Sequence, residues 1–339
     1  MICPLHKSEE RKASRAIGVC GSCLREMGTI PEQVVERHRR NRQHHGLVPS
    51  VPSDGDVVCL DCGHHCRMTE GQRGYCNLRE VKDGRVVHRF SGKAVVSWYF
   101  DPIPTNCVAD WVCGVEEELR TRRGLKNLAV FYGSCNSNCL FCQNSSYRTM
   151  MAKGKPLMSA RELASVADEH TTCVCYFGGD PACNPKHSLR VSEILREEWD
   201  LRVCYETNGN ISGKWLDPIL KAVQKSDGTL KVDLKAITPT IYTALTGVSN
   251  ATVLSNFKKA ARKSDHSEGA NLVASVLLVP GYIDVEEVAL LCRFIADCDT
   301  RIPTALLGFQ PGFLMSDLPR TSRAHAEAAL EVAKAAGLE

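Results

Sequence analysis

The sequence is poor in aromatics, 6% of 339 residues, and it carries almost no surplus of one charge: 42 Lys and Arg stand against 39 Asp and Glu, a formal net charge of +3. A balance this close creates no global field. It therefore argues against nucleic acid or an anionic membrane as partners and leaves small molecules and proteins. No apolar run is long enough to cross a bilayer, and the first thirty residues, with His6, Lys7, Glu9 and Glu10, lack the apolar core of a signal peptide. A cytoplasmic location is the expectation.

Cysteine is what the chain has in plenty. Eighteen of them, many in tight clusters separated by cysteine-poor stretches, favour metal binding over a disulfide framework and suit a reducing cell. The length exceeds what one small core needs, so a large domain with appended modules is expected. The stretch LVPSVPSDGD crowds Pro, Ser, Gly and Asp without hydrophobic period and reads as a linker. The expected division is a zinc-binding module over 1–46, the linker over 47–56, a cysteine-rich segment over 57–120 and the main domain over 121–339. ERHRRNRQHH, before the linker, reads as a solvated helix.

Six short apolar runs read as strands: 127–133, 173–179, 202–209, 231–236, 271–280 and 304–309. Segments with apolar residues at three- and four-residue spacing, such as SARELASVADEH and DVEEVALLCRFIADC, lie between them and read as helices. Repeated βα units predict a parallel sheet or barrel. After or within the strands come SCNSNCLFC, GGDP, TNG, DLK, PGY and QPG. In a parallel barrel the C-terminal strand ends form one rim, so these distant segments are expected to meet at one site.

Cys135, Cys139 and Cys142 bring three thiols to that rim. A structural zinc would want a fourth ligand nearby, and no other His, Cys or Asp occurs between Asn127 and Arg161. A four-iron cluster held by three thiolates keeps one iron open to a small molecule.

The CxxxCxxC spacing, with Phe141 before its last cysteine, resembles the signature of the radical S-adenosylmethionine (SAM) superfamily. The resemblance implies an α/β fold, a partial (β/α)6 barrel, with a [4Fe-4S] cluster on Cys135, Cys139 and Cys142. Gln143 and Asn144 after the last cysteine make the chain, over 59–339, similar to the pyruvate formate-lyase activating enzymes, the activases of glycyl radical enzymes. On that resemblance Gly178, Gly179 and Asp180 stand for the family's GGE loop, which meets the methionyl amine of SAM. Glu206, Thr207, Asn208 and Gly209 stand for its Asp-Thr-Asn-Gly segment, and Asp233 and Lys235 for its DxK motif. Paired glycines let backbone approach the ligand, and Lys235 can neutralise the methionyl carboxylate. Glu206, Thr207 and Asp233 offer oxygens to a monovalent cation. Gln310 replaces the His that the family places near the ribose. The chain stops at KAAGLE, where relatives usually continue into one more strand-like segment.

Upstream, Cys59, Cys62, Cys66 and Cys76 resemble a four-cysteine segment of activase relatives; four thiolates saturate either zinc or a second, closed iron-sulfur cluster. Cys3, His6, Cys20 and Cys23 have zinc-finger spacing and are expected to fold residues 1–45 around zinc without help from the barrel. Cys107 and Cys113 receive no reading. Cys173, Cys175, Cys204, Cys292 and Cys298 read as buried apolar residues.

The function these features imply is reductive cleavage of SAM and hydrogen abstraction from a protein or peptide, with a glycine in a partner enzyme as one such target. Ferredoxin or flavodoxin is the kind of electron donor implied. A small-molecule substrate is the alternative within the superfamily, and an electron-transfer or nucleic-acid adaptor protein is the alternative outside it.

Overall fold

The computed structural model describes residues 1–6, 11–103, 107–264 and 271–338. Part of the DPIPTNC phrase, 104–106, lies outside them. One mixed sheet of eight strands dominates: β1 (Ala94–Pro102), β2 (Lys126–Tyr132), β3 (Leu157–Met158), β4 (Thr171–Phe177), β5 (Arg202–Thr207), β6 (Leu230–Asp233), β7 (Leu272–Leu278) and β8 (Thr304–Gly308). Their order across the sheet is β8-β7-β6-β5-β4-β2-β1-β3.

From β2 through β8 the neighbours are parallel, pairing Leu128 with Val174, Cys175 with Cys204, Glu206 with Lys231, Asp233 with Ser275 and Leu278 with Gly308. These six parallel strands are the six apolar runs of the sequence. β1 runs antiparallel to β2, and β3 antiparallel to β1, so β3 and β8 are the two edges and the sheet is an open, partial barrel.

Alternation sets which residues enter the barrel. On β4, Cys173, Cys175 and Phe177 share a face, and on β5 Arg202, Cys204 and Glu206 do. Phe177 and Glu206 line the central cavity, so their partners two residues earlier face the same interior, deeper in the barrel. Crossover helices such as Pro185–Trp199, Gly213–Gln224 and Val285–Ala296 cover the outside with their apolar faces.

The N-terminal segment does not stand apart from the barrel. Helix α1 (Gly21–Met27) and helix α2 (Glu32–His44) place Leu24 and Val34 in the same core cluster as the sheet. Tyr282 donates to the Val19 carbonyl at 3.0 Å and accepts from Ser14 N at 2.9 Å, and Arg25 pairs with Glu286 at 2.6 Å and Glu287 at 3.2 Å. Helix α2 is not wholly solvated either, because His38 and Arg42 are buried. Arg42 lies 3.6 Å from the Tyr75 ring centroid and donates to the Tyr75 carbonyl. Residues 47–56 pack as well, with Leu47, Pro52 and Gly55 buried.

Candidate active site

The loop after β2 carries Cys135, Cys139 and Cys142 to the C-terminal rim, where all three line a cavity of about 410 Å³. Phe141, Gln143, Asn144, Gly178, Gly179, Asp180, Glu206, Thr207, Asn208, Asp233 and Lys235 line it too. The expected convergence of strand ends therefore holds for these residues. Two expected members lie outside that lining: the PGY segment, whose Tyr282 packs on Ser14 and Val19 of the N-terminal segment, and Gln310, which is exposed. Its neighbour Phe309 turns into the core with its N–H held by Thr321 Oγ1 at 2.7 Å, which leaves Gln310 facing outward.

The two glycines serve the cysteine loop before any ligand. Gly178 has φ +68°, and a Cβ there would meet the Phe131 ring at 2.4 Å. A Cβ on Gly179 would lie 2.1 Å from the Ser134 carbonyl and 2.5 Å from that of Tyr132. No side chain fits between the β4 turn and the backbone that leads into Cys135.

Asp180 is buried and spends its oxygens inside the protein. Oδ1 accepts from Ala182 N at 2.9 Å and Thr207 Oγ1 at 2.7 Å; Oδ2 accepts from Asn208 N at 2.7 Å. Burial raises its pKa to about 6 despite these donors. The chain thus uses the shorter acid to tie the GGDP turn to the TNG turn. Asn208 carries the tie onward, donating to Asn136 Oδ1 at 2.7 Å and lying 3.9 Å from Cys135 Sγ.

The oxygens expected to face a monovalent cation already have a cation of the chain's own. Lys231 Nζ sits 3.0 Å from Glu206 Oε2 and 2.8 Å from Asp233 Oδ1, and Thr207 Oγ1 is turned to Asp180. Lys235 Nζ is 2.9 Å from Asp233 Oδ2. Burial alone would push the Asp233 carboxyl up, but the two ammonium groups hold it far below the usual carboxylate range. Sequence reading takes Asp233 and Lys235 and passes over Lys231, whose position within KVDLK carries no distinguishing signal.

Other supports are invisible to motif reading because they come from distant segments. His38 of α2 accepts from Asn138 Nδ2 at 3.1 Å and donates Nε2–H to the Ala244 carbonyl at 3.0 Å. His64, in the Cys59 segment, donates to the Asn136 carbonyl at 2.5 Å. Burial lowers both imidazoles to about 4, so both are neutral at pH 7. Arg148 is fully buried, donates to Asn138 Oδ1 at 2.9 Å and leaves Nε and Nη1 without a hydrogen-bond partner. The nearby Tyr147 and Cys142 help to keep it charged against burial.

At the N-terminus, Cys3, His6, Cys20 and Cys23 converge. Cys23 Sγ lies 3.6 Å from Cys3 Sγ, 3.7 Å from Cys20 Sγ and 3.1 Å from His6 Nδ1. Ligands about 2.3 Å from a tetrahedral zinc stand about 3.8 Å apart. Among the described residues this is the one group of three or more such ligands whose atoms all lie within 4.8 Å of one another. Cys59, Cys62, Cys66 and Cys76 are more spread. Cys183, unread in the sequence, joins them: its thiol is the first of the influences that lower Cys76 to about 6, and Cys76, Cys183, Cys135 and Cys142 belong to one apolar cluster.

Residues 129–295 match the sequence profile of the Radical SAM superfamily. This segment is a radical SAM domain. Membership implies a [4Fe-4S] cluster and SAM. The radical SAM chain is 26% identical to an uncharacterized protein of Methanocaldococcus jannaschii, MJ0808, over 84% of this chain and 80% of that one. Among solved structures it is similar to a domain of pyruvate-formate lyase-activating enzyme from Bacteroides vulgatus (17% identity, 50% of this chain and 96% of that chain, TM-score 0.39). It is also similar to a radical SAM methyltransferase from Sphaerobacter thermophilus (17%, 64% and 65%, TM-score 0.49) and to Streptococcus suis SuiB bound to S-adenosylmethionine (15%, 64% and 49%, TM-score 0.46).

Proposed function

We propose that this radical SAM enzyme binds its cluster through Cys135, Cys139 and Cys142, cleaves SAM reductively and takes hydrogen from a protein or peptide. The observation that carries the reading is the shared cavity, in which three thiols, with no fourth thiol among the described lining residues, face the polar ends of the neighbouring strands. The residues present suit the cluster: the buried Arg148 guanidinium, incompletely partnered, is the cation that an anionic centre at Cys142 would satisfy. A cluster held there would supply the one electron that cleaves a carbon-sulfur bond of SAM, with 5′-deoxyadenosine as the product once a substrate hydrogen atom is taken up.

The chain's own work is to hold and shield the cofactor. Lys235, over the Phe141 ring at 5.9 Å, presents positive charge for the methionyl carboxylate, and Gly178, Gly179 and the turn pinned by Asp180 form the wall beside it. Because the Lys231 ammonium already bridges Glu206 and Asp233, the fold needs no bound monovalent cation there.

An extended substrate is supported by the outer strand β1. Its neighbour β3 covers only Ala94 and Val95, and beyond them Trp98 and Tyr99 are exposed. The Tyr99 ring packs edge-on to Phe177 at 6.1 Å, and Phe177 lines the cavity. An added peptide strand there would run beside the wall of the site. The decisive assay incubates reduced, reconstituted enzyme with SAM and peptides deuterated at glycine Cα. Deuterium in 5′-deoxyadenosine supports the proposal. Transfer from small molecules and from no peptide or protein overturns the substrate class.

A further inference from the structure

Five cysteines that the proposed chemistry does not use meet inside the barrel. Cys173 and Cys175 lie on the interior face of β4, and Cys204 lies opposite Cys175 on the interior face of β5. Cys107 and Cys113 come from a separate segment and bracket a short 3-10 turn, Asp110–Val112, with Asp110 N donating to the Cys107 carbonyl at 3.3 Å and Cys113 N to that of Asp110 at 3.1 Å. Val108, between these two cysteines, lines the central cavity. Cys107 packs with Ala109 against Val273, which shares its face of β7 with the cavity-lining Ser275 and Leu277. Arg202, at the start of β5, donates to the Gly114 carbonyl at 3.5 Å and pairs with Glu118.

From this convergence we infer that Cys107, Cys113, Cys173, Cys175 and Cys204 form a second cofactor site, an auxiliary iron-sulfur cluster on the barrel floor beneath the SAM cavity.

Three observations separate this group from ordinary apolar filler. Its thiols have polar neighbours: Cys175 Sγ is 3.8 Å from Glu206 Oε1, and Cys173 Sγ is 3.3 Å from Asn127 Oδ1. Its members come from three segments far apart in sequence, which apolar packing does not require to be the same residue type. They also stand side by side: Cys175 is paired with Cys204 across β4 and β5, and Cys173 precedes Cys175 on the same face. Crowded thiols of this kind are costly to ionise and are relieved by a bound cation that takes up the charge.

Number favours a polynuclear centre over zinc, because five thiols are more than the four that close a structural zinc site. Lys231 and Arg202 bring positive charge to the same floor, which an anionic cluster needs.

The test compares anaerobically reconstituted full-length protein with the double variant Cys107→Ser/Cys113→Ser, with Cys204→Ser, and with Cys292→Ser as a control in a buried cysteine on an outer helix. The double variant and Cys204→Ser should each lose about two to four iron atoms per chain and a distinct signal in the spectrum of the reduced protein. SAM should still perturb the remaining Cys135 cluster, which shows that the barrel is folded. Cys292→Ser should lose nothing. Unchanged iron in both floor variants, or loss of zinc in place of iron, overturns the inference, and so does equal iron loss in the control. The Cys135→Ala/Cys139→Ala/Cys142→Ala variant should keep the floor signal, so failure of the SAM-cleaving reading and failure of this one are separately visible.

Discussion

Thr207 donates its hydroxyl to Asp180 at 2.7 Å, and through that contact the turn after β4 holds the turn after β5. Asp180→Ala would leave this hydroxyl and the Asn208 N–H unpaired in a buried place, a cost of about 3 kcal/mol. The variant should unfold at a lower temperature and bind SAM at least tenfold more weakly while keeping its iron, as measured by calorimetry and metal analysis. Unchanged SAM affinity would show that the Asp180 tie has no part in the cradle.

The ammonium of Lys231 stands between two carboxylates, and its removal would leave Glu206 and Asp233 facing one another in a buried site. Lys231→Gln should therefore lose several kcal/mol of stability. It should also acquire a requirement for sodium or potassium that the parent lacks. SAM affinity measured in potassium chloride and in choline chloride would differ for the variant and agree for the parent. A strong potassium effect in the parent would contradict the assignment.

His38 can accept from Asn138 only while neutral. Its folded pKa of about 4 lies below the ordinary 6.5, so the unfolded chain takes the proton first as pH falls. The stability it contributes is present above about pH 6.5 and is lost toward pH 4, an effect on the order of 3 kcal/mol. His38→Gln should show a shallower fall in melting temperature between pH 7 and 5, and an identical slope would remove His38 from the account.

The strands and the rim are the legible part of the sequence. Their apolar runs are short and their polar ends carry motifs, so the six parallel strands and the cysteine loop follow from local pattern. What stays hidden is long-range. Nothing near His38 or Arg42 announces that α2 lies under the Asn138 loop and the Tyr75 turn, because burial of a basic helix face depends on tertiary contacts. Gln310 misleads for the converse reason: its place in the chain matches a motif, but Phe309 takes the inward direction.

The N-terminal ligands are close enough for zinc as they stand, and α1, which follows Cys20 and carries Cys23, packs on the barrel. We expect about one zinc per chain, lost in His6→Ala/Cys20→Ser together with several degrees of melting temperature. Deleting residues 1–50 should do more damage than this, since it also removes His38 and Arg42. Equal stability of the parent and the deletion variant would contradict the packing.

On the proposed reading Cys135, Cys139 and Cys142 hold the centre that cleaves SAM. The test is 5′-deoxyadenosine formed under strong reductant by reconstituted parent and by the Cys135→Ala/Cys139→Ala/Cys142→Ala variant. Steady formation is expected from the parent and none above background from the variant. Undiminished 5′-deoxyadenosine from the variant would contradict it.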